Sequence, residues 1–100
     1  MASEKSLQNY LFAQCKKHKI FIRKMEATGQ RGFPDCLLIY KGDVLFAELK
    51  SPTGRGRLSR LQQIEINRLQ AHCAKVWVLD SREGVDDVIK KITNGKTPKI

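Results

Sequence analysis

Two carboxylates and an ammonium, Asp35, Glu48 and Lys50, are the side chains of this sequence best suited to chemistry. Carboxylates brought within a few ångströms repel one another and stay ionised comfortably only beside a cation, and their hard oxygens suit Mg²⁺ or Mn²⁺. A divalent ion held there can bind a phosphate oxygen, offset charge in the transition state and lower the pKa of an attacking water. A nearby lysine positions that water or stabilises charge. The chemistry is that of phosphodiester hydrolysis. Taken alone, Glu48-Leu49-Lys50 has a plainer reading as an exposed ion pair worth under about 1 kcal/mol. The three residues matter only if the fold converges them.

The elements around them decide that. Side chains alternate across a strand, so Glu48 and Lys50 share one face while Leu45, Ala47 and Leu49 take the other. The β-rich runs 35–40 and 44–50 flank Lys41, Gly42 and Asp43 and read as a tight hairpin. A turn at Gly42-Asp43 pairs Lys41 with Val44 and sets Asp35 opposite Lys50, on the face of Glu48. A three-residue loop over 41–43 sets Asp35 opposite Leu49, on the wrong face, unless a bulge near Pro34 re-aims it.

Leu7, Tyr10, Leu11 and Cys15 recur at helical spacing, so residues 3–18 read as a helix with Ser3 as its N-cap. A strand is expected over 20–27, fading into a turn at 28–32. The stretch 51–60, with Pro52, Gly54 and Gly56 among Arg55, Arg57 and Arg60, reads as a basic loop. A second helix starts at Ser59, which with Gln62 matches the reciprocal capping box, and runs through Ile66 to Cys73. A buried strand over 76–79 holds Trp77 in the core rather than as a base-stacking ring. A third helix carries Val85, Val88, Ile89 and Ile92. The order αβββαβα describes an α/β domain with a small mixed sheet flanked by helices.

One hundred residues suffice for one domain and one modest core, here expected to span 1–100 with a frayed tail over 96–100. The apolar fraction of 41% argues against disorder. No apolar run approaches the roughly 20 residues of a membrane span, and the first dozen residues do not form a secretory signal. A cytoplasmic protein without membrane contact is expected. Cys15, Cys36 and Cys73 form an odd set within predicted elements and read as small buried thiols rather than disulfides. A net charge of +9 favours polyanions, DNA or RNA first. A Zn²⁺ site from Cys15, His18, His72 and Cys73 is disfavoured, because adjacent His72 and Cys73 diverge.

Gly32-Phe33-Pro34-Asp35, then Glu48-Leu49-Lys50, then Gln62 resemble in order the motifs of the PD-(D/E)XK nucleases. More narrowly the chain resembles a stand-alone VRR-NUC domain of the phage or bacterial type, which has an acidic residue early in the first helix, matched by Glu4. The resemblance covers nearly the whole chain and implies a restriction-endonuclease-like core. It implies that Asp35 and Glu48 bind Mg²⁺ or Mn²⁺, that the main-chain carbonyl of Leu49 adds a ligand, and that Lys50 acts on water. Gln62 is either a further catalytic group or only the partner of Ser59 in the cap. Glu4 is either a further metal ligand or a first-turn acid favoured by the helix dipole. By the same resemblance the substrate is branched DNA such as four-way (Holliday) junctions, a DNA-repair setting, and the protein is a homodimer in the cytoplasm, or the host cytoplasm if phage-encoded.

Arg55, Arg57 and Arg60 follow the E-x-K strand and are placed to hold phosphates flanking the metal, with Arg31, Lys24 and Arg23 as further candidates. Their plainer reading is a solvated flexible loop. Two rivals stand beside the junction nuclease: a flap or nicking nuclease of the same chemistry, and a non-catalytic basic DNA-binding module.

Overall fold

The computed structural model describes residues 3–25, 30–52 and 57–94. Its elements follow the expected order: α1 (Glu4–Lys17), β1 (Phe21–Lys24), β2 (Cys36–Tyr40), β3 (Asp43–Leu49), α2 (Arg60–Ala71), β4 (Lys75–Leu79) and α3 (Arg82–Thr93). The sheet runs β1-β2-β3-β4, antiparallel between the first three strands and parallel between β3 and β4. It is therefore mixed, with α2 as the crossover that a parallel pair requires.

One face of the sheet is sealed. Ile22, Cys36, Leu38, Leu45, Ala47, Leu49 and Leu79 point to the same side by strand alternation and form one buried cluster with Leu7, Leu11 and Cys15 of α1 and Val85, Val88, Ile89 and Ile92 of α3. The α1–α3 pair is tied by a hydrogen bond from the Tyr10 hydroxyl to Asp86 Oδ1 at 2.7 Å. Trp77 packs partly buried against this core, as its strand position required. Helix α2 lies on the opposite face, where Ile66 is buried outside that cluster. Phe21, Val44 and Val78 on that face remain 45, 47 and 45% exposed.

Helices α1 and α2 start at their expected caps, Ser3 and Ser59, which accept from the backbone amides of Ser6 and Gln62, and Ser81 caps α3 by accepting from the Gly84 amide. The ends were harder to foresee. In α1, Lys19 takes a left-handed conformation (φ 60) so that the Ile20 amide reaches the Cys15 carbonyl. In α2, Cys73 does the same (φ 66), and the Ala74 amide reaches Leu69. Both are Schellman-type ends in which the usual glycine is replaced. Helix α2 therefore stops at Ala71, and Cys73 is exposed rather than buried inside the helix, whereas Cys15 and Cys36 are buried as expected. Burial pushes both of those thiols up to about 12, which keeps them unreactive. Strand β1 is shorter than expected, and Arg60 belongs to the first turn of α2 rather than to the preceding loop. No helix among the described residues is long and apolar enough to cross a membrane.

Candidate active site

The hairpin settles how Asp35 meets Glu48 and Lys50. Tyr40 pairs with Asp43, and the two turn residues are Lys41 (φ 48) and Gly42 (φ 90). Two consecutive positive φ values make a type I′ turn, whose twist matches that of the strands it joins. The turn thus lies one residue earlier than Gly42-Asp43, which moves the pairing by two positions. Cys36 pairs with Ala47, and one step further Asp35 faces Glu48 rather than Lys50. A shift of two preserves the face, so the expected convergence survives the wrong register.

The segment before β2 is built to hold Asp35 there. Gly32 has φ +86, and a Cβ on it would meet the Leu61 carbonyl oxygen at 2.5 Å. Only glycine lets this backbone approach the start of α2 so closely. Phe33 packs edge-to-face on Phe46 at 5.5 Å, anchoring the segment to the site face of β3. Pro34 is fully buried, and the Met25 amide donates to the Asp35 carbonyl at 2.7 Å. One oxygen of the Asp35 carboxylate, Oδ2, accepts from the Leu49 amide at 2.8 Å. Phe33 carried no signal of its own in the sequence beyond lying between two motif residues.

Glu48 is 1% exposed, which removes the exposed ion-pair reading of Glu48-Leu49-Lys50. Its Oε2 lies 3.4 Å from Lys50 Nζ and accepts from Gln62 Nε2 at 2.8 Å. Its Oε1 is buried with no hydrogen-bond partner. Burial, then the charge of Asp35, push the Glu48 carboxyl from 4.5 up to about 7, while Lys50 pulls the other way. An acceptor left unpartnered in a buried carboxylate is costly, and it marks where a cation would complete the site.

Gln62 completes the capping box of α2 and at the same time contacts Lys50 and Glu48. The Ser59 side chain accepts from the Gln62 amide at 3.1 Å, and the Ser59 amide donates back to Gln62 Oε1 at 2.8 Å. The same Oε1 accepts from Lys50 Nζ at 2.7 Å. With its carbonyl facing two donors and its amide facing a carboxylate, Gln62 has one consistent orientation. The start of α2 is thereby fastened to Glu48 and Lys50.

The other sequence-derived candidates sit around this cluster. Glu4 is exposed in the first turn of α1, and among the described residues no three His, Cys, Asp or Glu side chains gather as a metal-binding group. Arg57 and Arg60 are exposed immediately before and within the first turn of α2, and Arg31 is exposed beside Gly32. Lys24 is exposed at the end of β1. Arg55 lies outside the described residues.

This fold has a counterpart of known structure. A solved structure described as a VRR_NUC domain superposes with a TM-score of 0.80 and 27% sequence identity, over 90% of this chain and 97% of that one. No protein-family model and no curated protein matches the sequence. The αβββαβα core is restriction-endonuclease-like, and the chain carries a nuclease-family domain of the VRR-NUC type.

Proposed function

We propose that this chain, as a single domain over its 100 residues, is a Mg²⁺- or Mn²⁺-dependent DNA endonuclease acting on branched DNA such as four-way junctions. The observation that carries the reading is the buried Glu48 carboxylate, with an unpartnered Oε1, set between Asp35 and Lys50. Asp35, Glu48 and the main-chain carbonyl of Leu49 would hold the ion, whose oxygen-ligand preference fits this donor set. When bound, such an ion neutralises phosphate charge and makes a water more acidic.

The chain's own residues then divide the remaining work. Lys50 Nζ, restrained by Gln62 Oε1 and Glu48 Oε2, presents its remaining proton toward the attacking water or a phosphate oxygen. Gln62 keeps Lys50 and Glu48 in mutual register, a positioning role. Leu49 fixes the Asp35 carboxylate through its amide. Arg31, next to Gly32, and Arg57 and Arg60, at the start of α2 that Gly32 approaches, would take the flanking phosphates. The first turn of α2 contains Arg60 and no acid, a placement the helix dipole disfavours until an anion arrives. A domain of this size covers a limited stretch of DNA, and a two-fold homodimer would place two such sites on a symmetric junction.

The test uses labelled four-way, flap and linear DNA with Mg²⁺, with Mn²⁺ and with chelator. Paired symmetric cuts on the four-way substrate that need the metal are expected, with Asp35→Asn and Lys50→Ala each reducing the rate by roughly a thousandfold. Cleavage in chelator, or undiminished cleavage by these variants, overturns the mechanism. Single cuts or flap removal would replace the junction assignment with a nicking or flap activity. Salt-dependent binding without any cleavage would leave a DNA-binding module. A sedimentation mass of one 11.4 kDa chain on the junction would reject the dimer.

A further inference from the structure

A groove of about 530 Å³ lies alongside edge strand β1, between it and α1. Phe12, Phe21 and Ile22 give it apolar walls, Lys16, Arg23 and Lys24 contribute cations, and no acid is among the described residues that line it. Phe21 is 45% exposed, an unfavourable placement for a large ring on a four-residue strand. The Arg23 guanidinium sits over that ring at 4.2 Å and donates to the Ile22 carbonyl at 2.8 Å. A long side chain is thus already ordered on an exposed aromatic face. Charges on an edge strand discourage pairing with other strands, which accounts for the cations. It does not account for the exposed ring and the apolar hollow beside it.

The groove wraps the β1 edge: Ile22, Lys24 and the α1 residues Phe12 and Lys16 stand on the sealed side of the sheet, and Phe21 and Arg23 on the other. Phe21 pairs with Ile39 and Arg23 with Leu37, so both stand on the face that carries Asp35 and Glu48. The Met25 amide, just beyond β1, binds the Asp35 carbonyl. Phe21 is four residues from that contact, roughly 13 Å along the strand.

We infer that this groove binds an unpaired single strand of DNA leading away from the cleavage site, with a base stacked on the Phe21–Arg23 pair and phosphates on Lys16, Arg23 and Lys24. The inference rests on the nuclease reading above. An unpaired base offers a π face to an aromatic ring and a guanidinium, as sequence-tolerant single-strand sites use. A duplex keeps its base faces stacked inside. An acidic peptide would match the cations but leave Phe21 and the apolar walls without a partner. Branched substrates expose single strands or frayed ends where their arms meet, so such a site would favour them over linear duplex.

The test measures binding of the full chain in chelator, by fluorescence anisotropy, to labelled oligo(dT), to a blunt duplex and to poly-glutamate. Phe21→Ala, and Phe21→Leu, which keeps an apolar side chain without a π face, should each weaken oligo(dT) binding by roughly fivefold or more. Both should leave duplex affinity unchanged. The Lys16→Ala/Arg23→Ala variant should flatten the salt dependence of oligo(dT) binding by roughly 1.4 in log–log slope, two phosphates' worth. Unaltered oligo(dT) affinity in the Phe21 variants, an equal loss on duplex, or poly-glutamate binding as tight as oligo(dT) overturns the proposal. So does a Phe21→Ala effect on sedimentation mass instead of on DNA binding, which would mark a contact between two copies. Metal-dependent cleavage with no Phe21 effect on oligo(dT) rejects the groove alone. Absent cleavage with the Phe21 effect intact rejects the nuclease reading and leaves a single-strand binding site.

Discussion

The two faces of the four-stranded sheet were built to different ends. The face against α1 and α3 is closed by aliphatic side chains and two unreactive thiols, with no ionisable carboxylate among the buried cluster. The face under α2 is only partly covered, leaves Phe21, Val44 and Val78 exposed, and buries a carboxylate with one oxygen unsatisfied. The first face supplies stability that the second spends at Glu48, and the strained, half-satisfied groups collect where chemistry needs them. The network through Gln62 and the Asp35–Leu49 contact limits that cost by holding Glu48 Oε2, Lys50 Nζ and one Asp35 oxygen in hydrogen bonds.

Perturbing each face should separate the two roles. The largest stability effect is expected on the sealed side: Leu11→Ala, at a site with no solvent exposure, should cost about 3 kcal/mol in denaturant unfolding. A loss below about 1 kcal/mol would show that α1 is not a full partner in the core. On the open side Glu48→Gln should stabilise the protein. A carboxyl whose pKa rises on folding from 4.5 to about 7 binds more protons folded than unfolded in that interval, so its contribution to stability falls as pH rises through it. The variant should match wild type near pH 4 and exceed it by up to roughly 3 kcal/mol at pH 8. Thermal melts across that range check the sign. Adding Mn²⁺ should raise the wild-type midpoint at pH 8 and leave Glu48→Gln nearly unmoved, because a bound ion stabilises the ionised form.

A smaller effect on stability, with a larger one on activity, is expected for Gly32→Ala. Its positive φ and the approach to the Leu61 carbonyl should cost about 1–3 kcal/mol. Because the displaced backbone is the start of α2, the variant should lose cleavage by more than its melting point suggests, a disparity that activity measured well below the midpoint would reveal. Least affected should be Val44→Ala and Val78→Ala, within about 0.5 kcal/mol of wild type, since each is nearly half exposed already. A large loss at either position would mean that the open face is covered by something else in solution.

The sequence by itself determined the element order, the serine caps of α1 and α2, the inward faces of α1 and α3, and the strand parity that puts Glu48 beside Lys50. These rest on local chemistry and on repeats of two and of three to four residues, which a chain carries in its own pattern. The place of Asp35 was legible only up to the hairpin register, since Lys41 gives no sign that it will adopt a positive φ ahead of Gly42. The end of α2 was hidden likewise, because Cys73 fills a left-handed position that glycine usually marks. Only the tertiary structure decided that Glu48 is buried, that one of its oxygens lacks a partner, and that Gln62 joins the cap to Lys50. Those facts depend on how α2 and the Gly32–Asp35 segment close over β3. Contacts between segments far apart in sequence leave no periodic trace along it.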